Sequence, residues 1–456
     1  MTTTGRLARA VVAVAAIAAV PASAAAAPPW TAPVAISVPH TAIYPIGMIE
    51  SKNAAAAWWR WEDGVNSPKR YGGSFVAQPD ASDGFAFTSG RDRKEQVSLD
   101  VAGYGSGRLV ALSQTTTHDA KGNFTSSLAV RNGGPGGFGA SKTLAGGFIT
   151  GTPDLGVAPD GRGLIVFTTA DPTNTSRRVQ VRVALRSASG QFGRPSVISG
   201  RGQADGAVVA VGRGGDMVVA FKRSRKVVAR VKRPGHGWGS LQTLATPKGP
   251  TQWLLRAAVS DGGTVQVLWQ RRFVSERMDG STIQTRRMNA GAGRWSPSTT
   301  VEAKGANGPT AMLAVPGGFA VGYTAGGTDT KYPLTARVAT IKGDTSGSVD
   351  VAPAAVGVRN VRLAWSARYG LFATAIVEPT IDGANNIAVG ALRAPGAAGF
   401  TPAEPIAAAP SLNEIAPGFG RDGKPLAAWA APTDAIVPGV PSEIRRVVVV
   451  TSTRPG

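Results

Sequence analysis

The segment PPWTAPVAIS at residues 28–37 has the form of a closing segment that the last repeat of this chain lacks. Segments of the same shape end earlier repeats: GGFGASKTLA (136–145), GQFGRPSVIS (190–199), GHGWGSLQTLA (235–245), GRWSPSTTVE (293–302) and GFTPAEPIA (399–407). The final repeat ends at RRVVVVTSTRPG (445–456) without one. In a ring, one unit can be built from both ends of the chain. Pairing the N-terminal strand with the C-terminal strand then removes a free strand edge and stabilises the fold. We therefore expect Ala35 to Ser37 to pair with Val447 to Val450.

Turn residues mark the same repeat along the whole chain. They recur about every 50 residues, a period typical of a four-stranded propeller blade, at Asn53, Gly107, Gly161, Gly215, Gly262, Gly317, Gly370 and Gly423. Apolar runs follow most of these turns, with a large residue about six positions on. Such runs predict strands that leave a tight hairpin, and we expect their large residues, Phe167, Phe221, Trp269, Tyr323 and Trp429, to be buried between sheets.

The repeat predicts an all-β, single-domain β-propeller, because one four-stranded sheet cannot bury both of its faces and neighbouring sheets must stack. Counting the turns predicts eight blades, with the ring closed by an N-terminal strand that completes the last blade. Seven blades is the alternative count, since the unit at 43–93 fits poorly and the sixth unit closes only with SGSVDVA (346–352). We assign 28–456 to the propeller, with 28–38 completing the C-terminal blade.

The first 27 residues have the pattern of a secretion signal peptide. Arg6 and Arg9 precede an apolar run at 10–20 that is too short to span a bilayer, and Ala22-Ser23-Ala24 fits a cleavage site. We expect a secreted protein, extracellular or associated with the cell surface. The chain has no Cys, which excludes disulfides and thiolate zinc sites, and no later stretch predicts a transmembrane helix.

In repeat shape, the chain resembles the secreted bacterial β-propellers, in the broad sense that includes sialidase-like and tryptophan-aspartate-repeat rings. This resemblance implies the fold and no activity. The sialidase aspartate box is absent: its nearest match, Ser260-Asp261-Gly262-Gly263, has the Ser adjacent to the Asp. The docking motif of quinone-dependent dehydrogenase propellers is also absent, and both omissions weigh against an enzyme.

Catalytic chemistry has no clear signature in the sequence. The three histidines, His40, His118 and His236, lack metal-ligand spacing, and there is no nucleophile elbow, P-loop or dinucleotide fingerprint. We assign no catalytic residue, metal or cofactor. Carboxylate pairs contributed by different blades stay open, because their members would lie far apart along the chain.

Loops between the second and third strands of each unit are the predicted ligand face, by analogy with other propellers. The candidate residues for a ligand or protein partner there are Asp119, Asp171, Glu276, Asp329, Asp382 and Asp434. The alternative is that these loops are only solvated connections.

The positive charge is concentrated in one part of the chain. Of the net charge of +21, residues 177–300 contribute 22 Lys and Arg against 5 Asp and Glu. We expect one basic sector that attracts an anionic polymer or cell-surface polysaccharide, with the candidate residues Lys222, Arg223, Arg225, Lys226, Arg271 and Arg272. The alternative is a charge that serves only solubility. Few aromatic residues interleave with this charge, which argues against nucleic acid as the partner.

These patterns together predict a monomeric, non-catalytic binding or scaffold protein with a basic sector. The alternative is a carbohydrate-active enzyme of the propeller type, a glycoside hydrolase or a polysaccharide lyase. Two carboxyl groups beside Arg or Tyr at the mouth of the channel would favour that enzyme, and an apolar plug there would favour a structural envelope protein.

Overall fold

The computed structural model of the chain describes Trp30 and residues 34–35, 42–49, 55–62, 71–79, 85–91, 96–104, 108–118, 124–134, 137–170, 179–200, 202–246, 251–273, 281–302, 305–326, 334–380, 386–409, 412, 414–419, 424–436 and 444–452. Apart from Trp30, side chains are described from Ala102 to Trp429, with gaps. The predicted signal peptide lies outside these residues.

Every regular element in the described residues is a β-strand, and every pairing is antiparallel. Strands β2–β5 form a four-stranded sheet in chain order: Ala42–Ile49, Ala55–Glu62, Tyr71–Pro79 and Phe85–Arg91. An eight-stranded sheet follows, built from β6–β13: Gln96–Tyr104, Arg108–His118, Phe124–Gly134, Gly137–Phe138, Lys142–Val157, Gly163–Ala170, Gln180–Arg186 and Ser196–Val197.

Four-stranded sheets make up the rest of the chain. They are β14–β17 (Ala204–Val211, Met217–Arg223, Lys226–Lys232, Gln242–Ala245), β18–β21 (Thr251–Val259, Val265–Phe273, Thr282–Met288, Thr299–Glu302), β22–β25 (Ala306–Val315, Gly318–Gly326, Leu334–Lys342, Thr345–Asp350) and β26–β29 (Gly357–Ser366, Gly370–Glu378, Asn386–Arg393, Glu404–Ala409). The last sheet has the order β1-β32-β31-β30, with β1 Val34–Ala35, β30 Ile415–Phe419, β31 Pro425–Ile436 and β32 Ile444–Ser452. Among the described strands no sheet closes on itself.

The eight-stranded sheet consists of two repeats that share the long strand β10. Residues Lys142 to Gly147 of β10 pair with β8, whereas Phe148 to Val157 pair with β11. The same strand is therefore the outer edge of one four-stranded unit and the first strand of the next. With that division, the described strands fall into eight repeating units, including the two that fitted the sequence pattern least well: β2–β5, and β22–β25 with its fourth strand at Thr345–Asp350.

The closing segments form the outer strands of their sheets, as their recurrence predicted. In the last sheet this strand is β1, where Val34 pairs with Val450 and Ala35 with Val449. The predicted pairing between the two ends of the chain is thus present, although Ile36 and Ser37 lie outside the described residues. Trp30 precedes β1, is 7% exposed and packs on Phe372, with ring centroids 5.7 Å apart.

Neighbouring units contact each other through their first strands. The contacts run in chain order from β2 to β6, β10, β14, β18, β22, β26 and β30, and β30 in turn contacts β2. Apolar side chains fill the space between adjacent sheets. The large residues predicted to be buried, Phe167, Phe221, Trp269, Tyr323 and Trp429, are each at most 2% exposed, which confirms the repeat alignment.

β-Bulges interrupt several first strands at similar positions. The register shifts in β10, β14, β22 and β26, and each interruption contains a residue at positive φ: Gly151, Gly206, Gly308 and Asn360. Glycine is the usual residue where φ is positive, and asparagine is the commonest substitute. Such bulges re-aim the side chains beside them.

Candidate functional site

The basic run in the fourth unit forms an exposed hairpin between β15 and β16. Arg223 pairs with Lys226 across the two-residue turn Ser224-Arg225, and Ser224 has φ of 55°. Ser224, Arg225 and Lys226 are exposed. In each unit a loop joins the second strand to the third, and among these loops the β15–β16 hairpin is the one that lies wholly within the described residues. Two cations, Arg225 and Lys226, are exposed to solvent at its tip.

The other candidate cations are less open to solvent. Lys222 is half-buried, and its Nζ lies 3.3 Å from a carboxylate oxygen of Asp205. Arg223 and Arg271 are also half-buried. Arg272 lies on β19 and pairs with Gln252 of β18, but its side chain is outside the described residues. The structure therefore brings Arg223, Arg225 and Lys226 together and places Arg271 on another sheet.

Several arginines of the basic sector connect neighbouring sheets. Arg233 donates from Nη1 to Asp216 at 2.9 Å and to the carbonyl of Gly263 at 2.6 Å, and from Nη2 to the carbonyl of Asn289 at 2.9 Å. Arg287 lies 3.2 Å from Asp344 of the next unit. The sequence showed few carboxylates near these cations, and the fold supplies them from neighbouring strands and turns. Part of the basic charge is therefore structural.

Arg186 is the most deeply buried of these connecting arginines, at 2% exposed. Its Nη2 donates to Tyr104 Oη at 2.7 Å and to Asn132 Oδ1 at 2.8 Å, and Nη1 donates to the carbonyl of Gly161. The guanidinium also lies 4.5 Å from the centre of the Tyr104 ring. These contacts join the second unit to the third.

The predicted acidic residues of the loop face are not placed. Asp119, Asp171, Glu276, Asp329 and Asp382 lie outside the described residues, and Asp434 is on β31 without a described side chain. Their role as a ligand face stays a prediction.

A second group of charged residues, which the sequence did not indicate, lies on the first strands. We call it the first-strand cluster: Asp154 on β10, Arg256 on β18, Arg362 on β26 and Glu414 directly before β30. Arg256 interacts electrostatically with both Asp154 and Arg362, and Arg362 also interacts with Glu414. Four residues far apart along the chain are thus linked by electrostatic interactions.

Asp154 is held by backbone donors. Its Oδ1 accepts a hydrogen bond from the N–H of Leu155 at 3.0 Å, and its Oδ2 accepts one from the N–H of Val209 on β14 at 2.7 Å. Burial raises the pKa of Asp154 above its usual value, although these two donors and the charge of Arg256 oppose that shift. Asp154 nevertheless keeps part of its surface accessible.

Arg256 is held by backbone acceptors. Its Nη1 donates to the carbonyl of Leu255 at 2.7 Å, and its Nε donates to the carbonyl of Thr310 on β22 at 3.4 Å. Thr310 in turn donates from its hydroxyl to the carbonyl of Val361 on β26. Burial and the positive charge of Arg362 lower the pKa of Arg256, and Asp154 opposes that shift.

Glu414 is the second carboxyl group of the first-strand cluster. Burial raises its pKa, and the charge of Arg362 opposes the rise. Near the same end of β26, Arg359 lies 2.8 Å from Glu378 and donates to the carbonyl of Leu412 at 3.1 Å. The first-strand cluster therefore combines two carboxyl groups, whose burial favours the neutral form, with two arginines.

One sequence signal could have directed attention to this cluster. Asp154 and Arg362 each lie within three residues of a positive-φ position, Gly151 and Asn360, and glycine in a strand pattern suggests a bulge. Arg256 has no such marker, because the pairing of β18 with β19 is continuous.

Further observations bear on the class of protein. Within the described residues, no three His, Asp or Glu side chains come together as metal ligands, and no helix is long and apolar enough to cross a membrane. The sequence matches no protein-family model and no curated protein.

Proposed function

We propose that this chain is a secreted eight-bladed β-propeller that binds an anionic polymer, such as a cell-surface polysaccharide, through the β15–β16 hairpin. The architecture is supported by the eight repeating units, by the contacts of β2 with both β6 and β30, and by the pairing of β1 with β32. In such a ring the first strands line a central channel. Secretion is supported by the signal pattern at residues 1–27.

One observation carries the binding proposal: Arg225 and Lys226 are exposed at the tip of a tight hairpin, next to Arg223. A rigid turn presents these cations without the entropy that a mobile loop would lose on binding. The nearby carboxylate of Asp205 contacts Lys222, and the opposite end of β16 is where Arg233 meets Asp216. A polyanion would therefore meet the hairpin tip first.

Heparin-column elution tests this proposal with a matched pair of variants. Arg225→Ser/Lys226→Ser removes two charges at the tip, whereas Arg213→Ser/Arg294→Ser removes two exposed charges from the opposite end of the strands. We expect the first variant to elute at clearly lower salt than the second. Binding by the parent should weaken steeply between roughly 50 and 200 mM salt, as counterion release requires. Equal elution of the two variants would show that the hairpin is only part of a general positive charge.

A carbohydrate-active enzyme is the second candidate, and the first-strand cluster is the observation that favours it. A glycosidase needs a carboxylic acid with a raised pKa and a second carboxyl group, and burial raises the pKa of both Asp154 and Glu414. Release of reducing ends from polysaccharides by the parent, lost in Glu414→Gln, would favour this function. Heparin binding without any release would favour the binding protein.

A further inference from the structure

The first-strand cluster takes no part in the proposed polyanion binding. Asp154, Arg256 and Arg362 belong to β10, β18 and β26, which alternate with β14 and β22 in the succession of contacting first strands. The hairpin tip with Arg225 and Lys226 is instead at the end of a second and a third strand. A ligand of the cluster would be a different molecule, small enough to reach side chains between the sheets.

We propose that Arg256 and Arg362 form a binding site for a small ligand that carries a carboxylate. Their strands both contact β22, and hydrogen bonds through Thr310 connect the Arg256 guanidinium to the carbonyl of Val361, the residue directly before Arg362. The positive charge of Arg362 acts on Arg256, so an anion that binds both guanidinium groups relieves their repulsion. Arginine is suited to this role because its planar donors match the geometry of a carboxylate in a two-point interaction.

Hydrogen bonds to the backbone hold the Arg256 side chain in place before any ligand binds. Arg256 is anchored to the carbonyls of Leu255 and Thr310, and Thr310 is anchored to Val361, the residue directly before Arg362. These hydrogen bonds connect β18, β22 and β26 between Arg256 and the residue directly before Arg362. A site whose donors are already positioned loses less entropy on binding.

The carboxyl groups of the cluster neutralise the arginines only in part. Both oxygens of Asp154 accept hydrogen bonds from backbone N–H groups, and the positive charge of Arg362 acts on Glu414. Burial favours the neutral form of both carboxyl groups, which leaves positive charge on the arginines. All four side chains are half-buried and keep partly accessible surface, so a small ligand can reach them.

The exposed apolar side chain of Leu254 can contact the part of the ligand that does not carry the carboxylate. Leu254 is 47% exposed and lies two residues before Arg256, so both side chains are on the same face of β18. Leu254 also packs close to Gly308 on the neighbouring first strand, β22. A Cβ atom at Gly308 would lie only 3.3 Å from Leu254 Cδ1. The ligand therefore combines a carboxylate with a carbon surface, as sugar acids and small dicarboxylic acids do.

Thermal unfolding of the purified chain with small molecules tests the site. The probes are acetate, succinate and D-glucuronate, with D-glucose as the neutral control, each at 10 mM and constant ionic strength. We expect at least one carboxylate to raise Tm by about 1–3 °C, as selective binding to the native state requires, and D-glucose to leave it unchanged. Glucuronate and succinate distinguish a sugar acid from a dicarboxylate.

Three variants separate the site from a general effect of salt. Arg362→Gln and Arg256→Lys should abolish the rise in Tm, whereas Arg213→Gln, at an exposed turn, should retain it. Arg362→Gln should also elute from heparin like the parent, which keeps this site distinct from the hairpin. If Arg256→Lys fails to fold, Arg362→Gln decides alone. The proposal is wrong if no carboxylate raises Tm, or if the rise persists in Arg362→Gln.

Discussion

Arginine has two roles in this molecule, and the surroundings of each residue decide which. Arg186 is buried against Tyr104, Asn132 and the carbonyl of Gly161, whereas Arg225 is exposed at a hairpin tip. A buried cation is tolerated when nearby acceptors compensate its charge, as the partners of Arg186 Nη1 and Nη2 do. The net charge of +21 is therefore a poor measure of the charge available to a partner.

Replacing Arg186 tests this difference in role. Arg186→Ala leaves the buried oxygens of Tyr104 and Asn132 without their donor, and each unsatisfied group costs about 1–3 kcal/mol, so we expect a clear loss in the free energy of unfolding. Arg225→Ala should leave stability unchanged. Urea unfolding of both variants measures the contrast, and similar midpoints for the two would contradict the structural role of Arg186.

Glu414 should make stability depend on pH. Burial raises its pKa in the folded state, so the folded protein binds this proton more tightly than the unfolded chain, and stability falls as pH rises through that raised pKa. Glu414→Gln cannot lose the proton. We expect the variant to gain Tm relative to the parent at pH 8 and to gain little at pH 4. Glu404→Gln, an exposed site on β29, is the control and should show the same difference at both pH values.

At the scale of elements, the closing segment of the last sheet comes from the other end of the chain. β1 supplies the outer strand beside β32, and Trp30 packs with Phe372, Phe419 and Trp429 in one apolar cluster. Phe192 and Trp238 hold corresponding places in their own closing segments, each bridged to the end of the preceding strand. An aromatic residue at this point covers the end of the intersheet core.

Removing this element should destabilise the fold. A chain that starts at Val38 lacks Trp30 and β1, and a chain that starts at Pro28 keeps both. Loss of a buried Trp side chain alone costs about 3–5 kcal/mol, so we expect Tm to fall by about 5–10 °C and aggregation to increase because β32 gains a free edge. Identical melting curves for the two chains would rule out the proposed closure.

At the scale of the whole molecule, the succession of first-strand contacts supports the proposed ring. The contacts proceed from each unit to the next, and the last unit contacts the first through β30 and β2. Each intermediate sheet can then bury both faces against its neighbours, as an array of open sheets requires for stability. The proposed ring also leaves no terminal unit in need of a cap.

The overall dimensions test the ring. A compact chain of the mature length should have a radius of gyration of about 22 Å, and a ring of stacked sheets should come close to that value. Small-angle X-ray scattering of the chain that starts at Pro28 measures it. A clearly larger radius, with a scattering profile of an elongated particle, would indicate an open array of the same sheets.

The sequence by itself determined the repeating sheets, their closing strands and the buried aromatic residues. These features depend on turns and alternation within about 50 residues, and the strand that pairs with β32 was recognisable because it copies the other closing segments. The concentration of cations at Lys222 to Lys226 was equally visible in the sequence, and the structure placed it at a hairpin.

Only the tertiary structure decided which charges meet. Asp154, Arg256, Arg362 and Glu414 come from four different units, and they come within electrostatic reach of each other because the first strands of successive units lie side by side. Bulges at Gly151 and Asn360 also shift the register beside two of them, so alternation along the strand cannot predict where those side chains point. Electrostatic contact depends on distance in space, and for these residues distance along the chain carries no information about it.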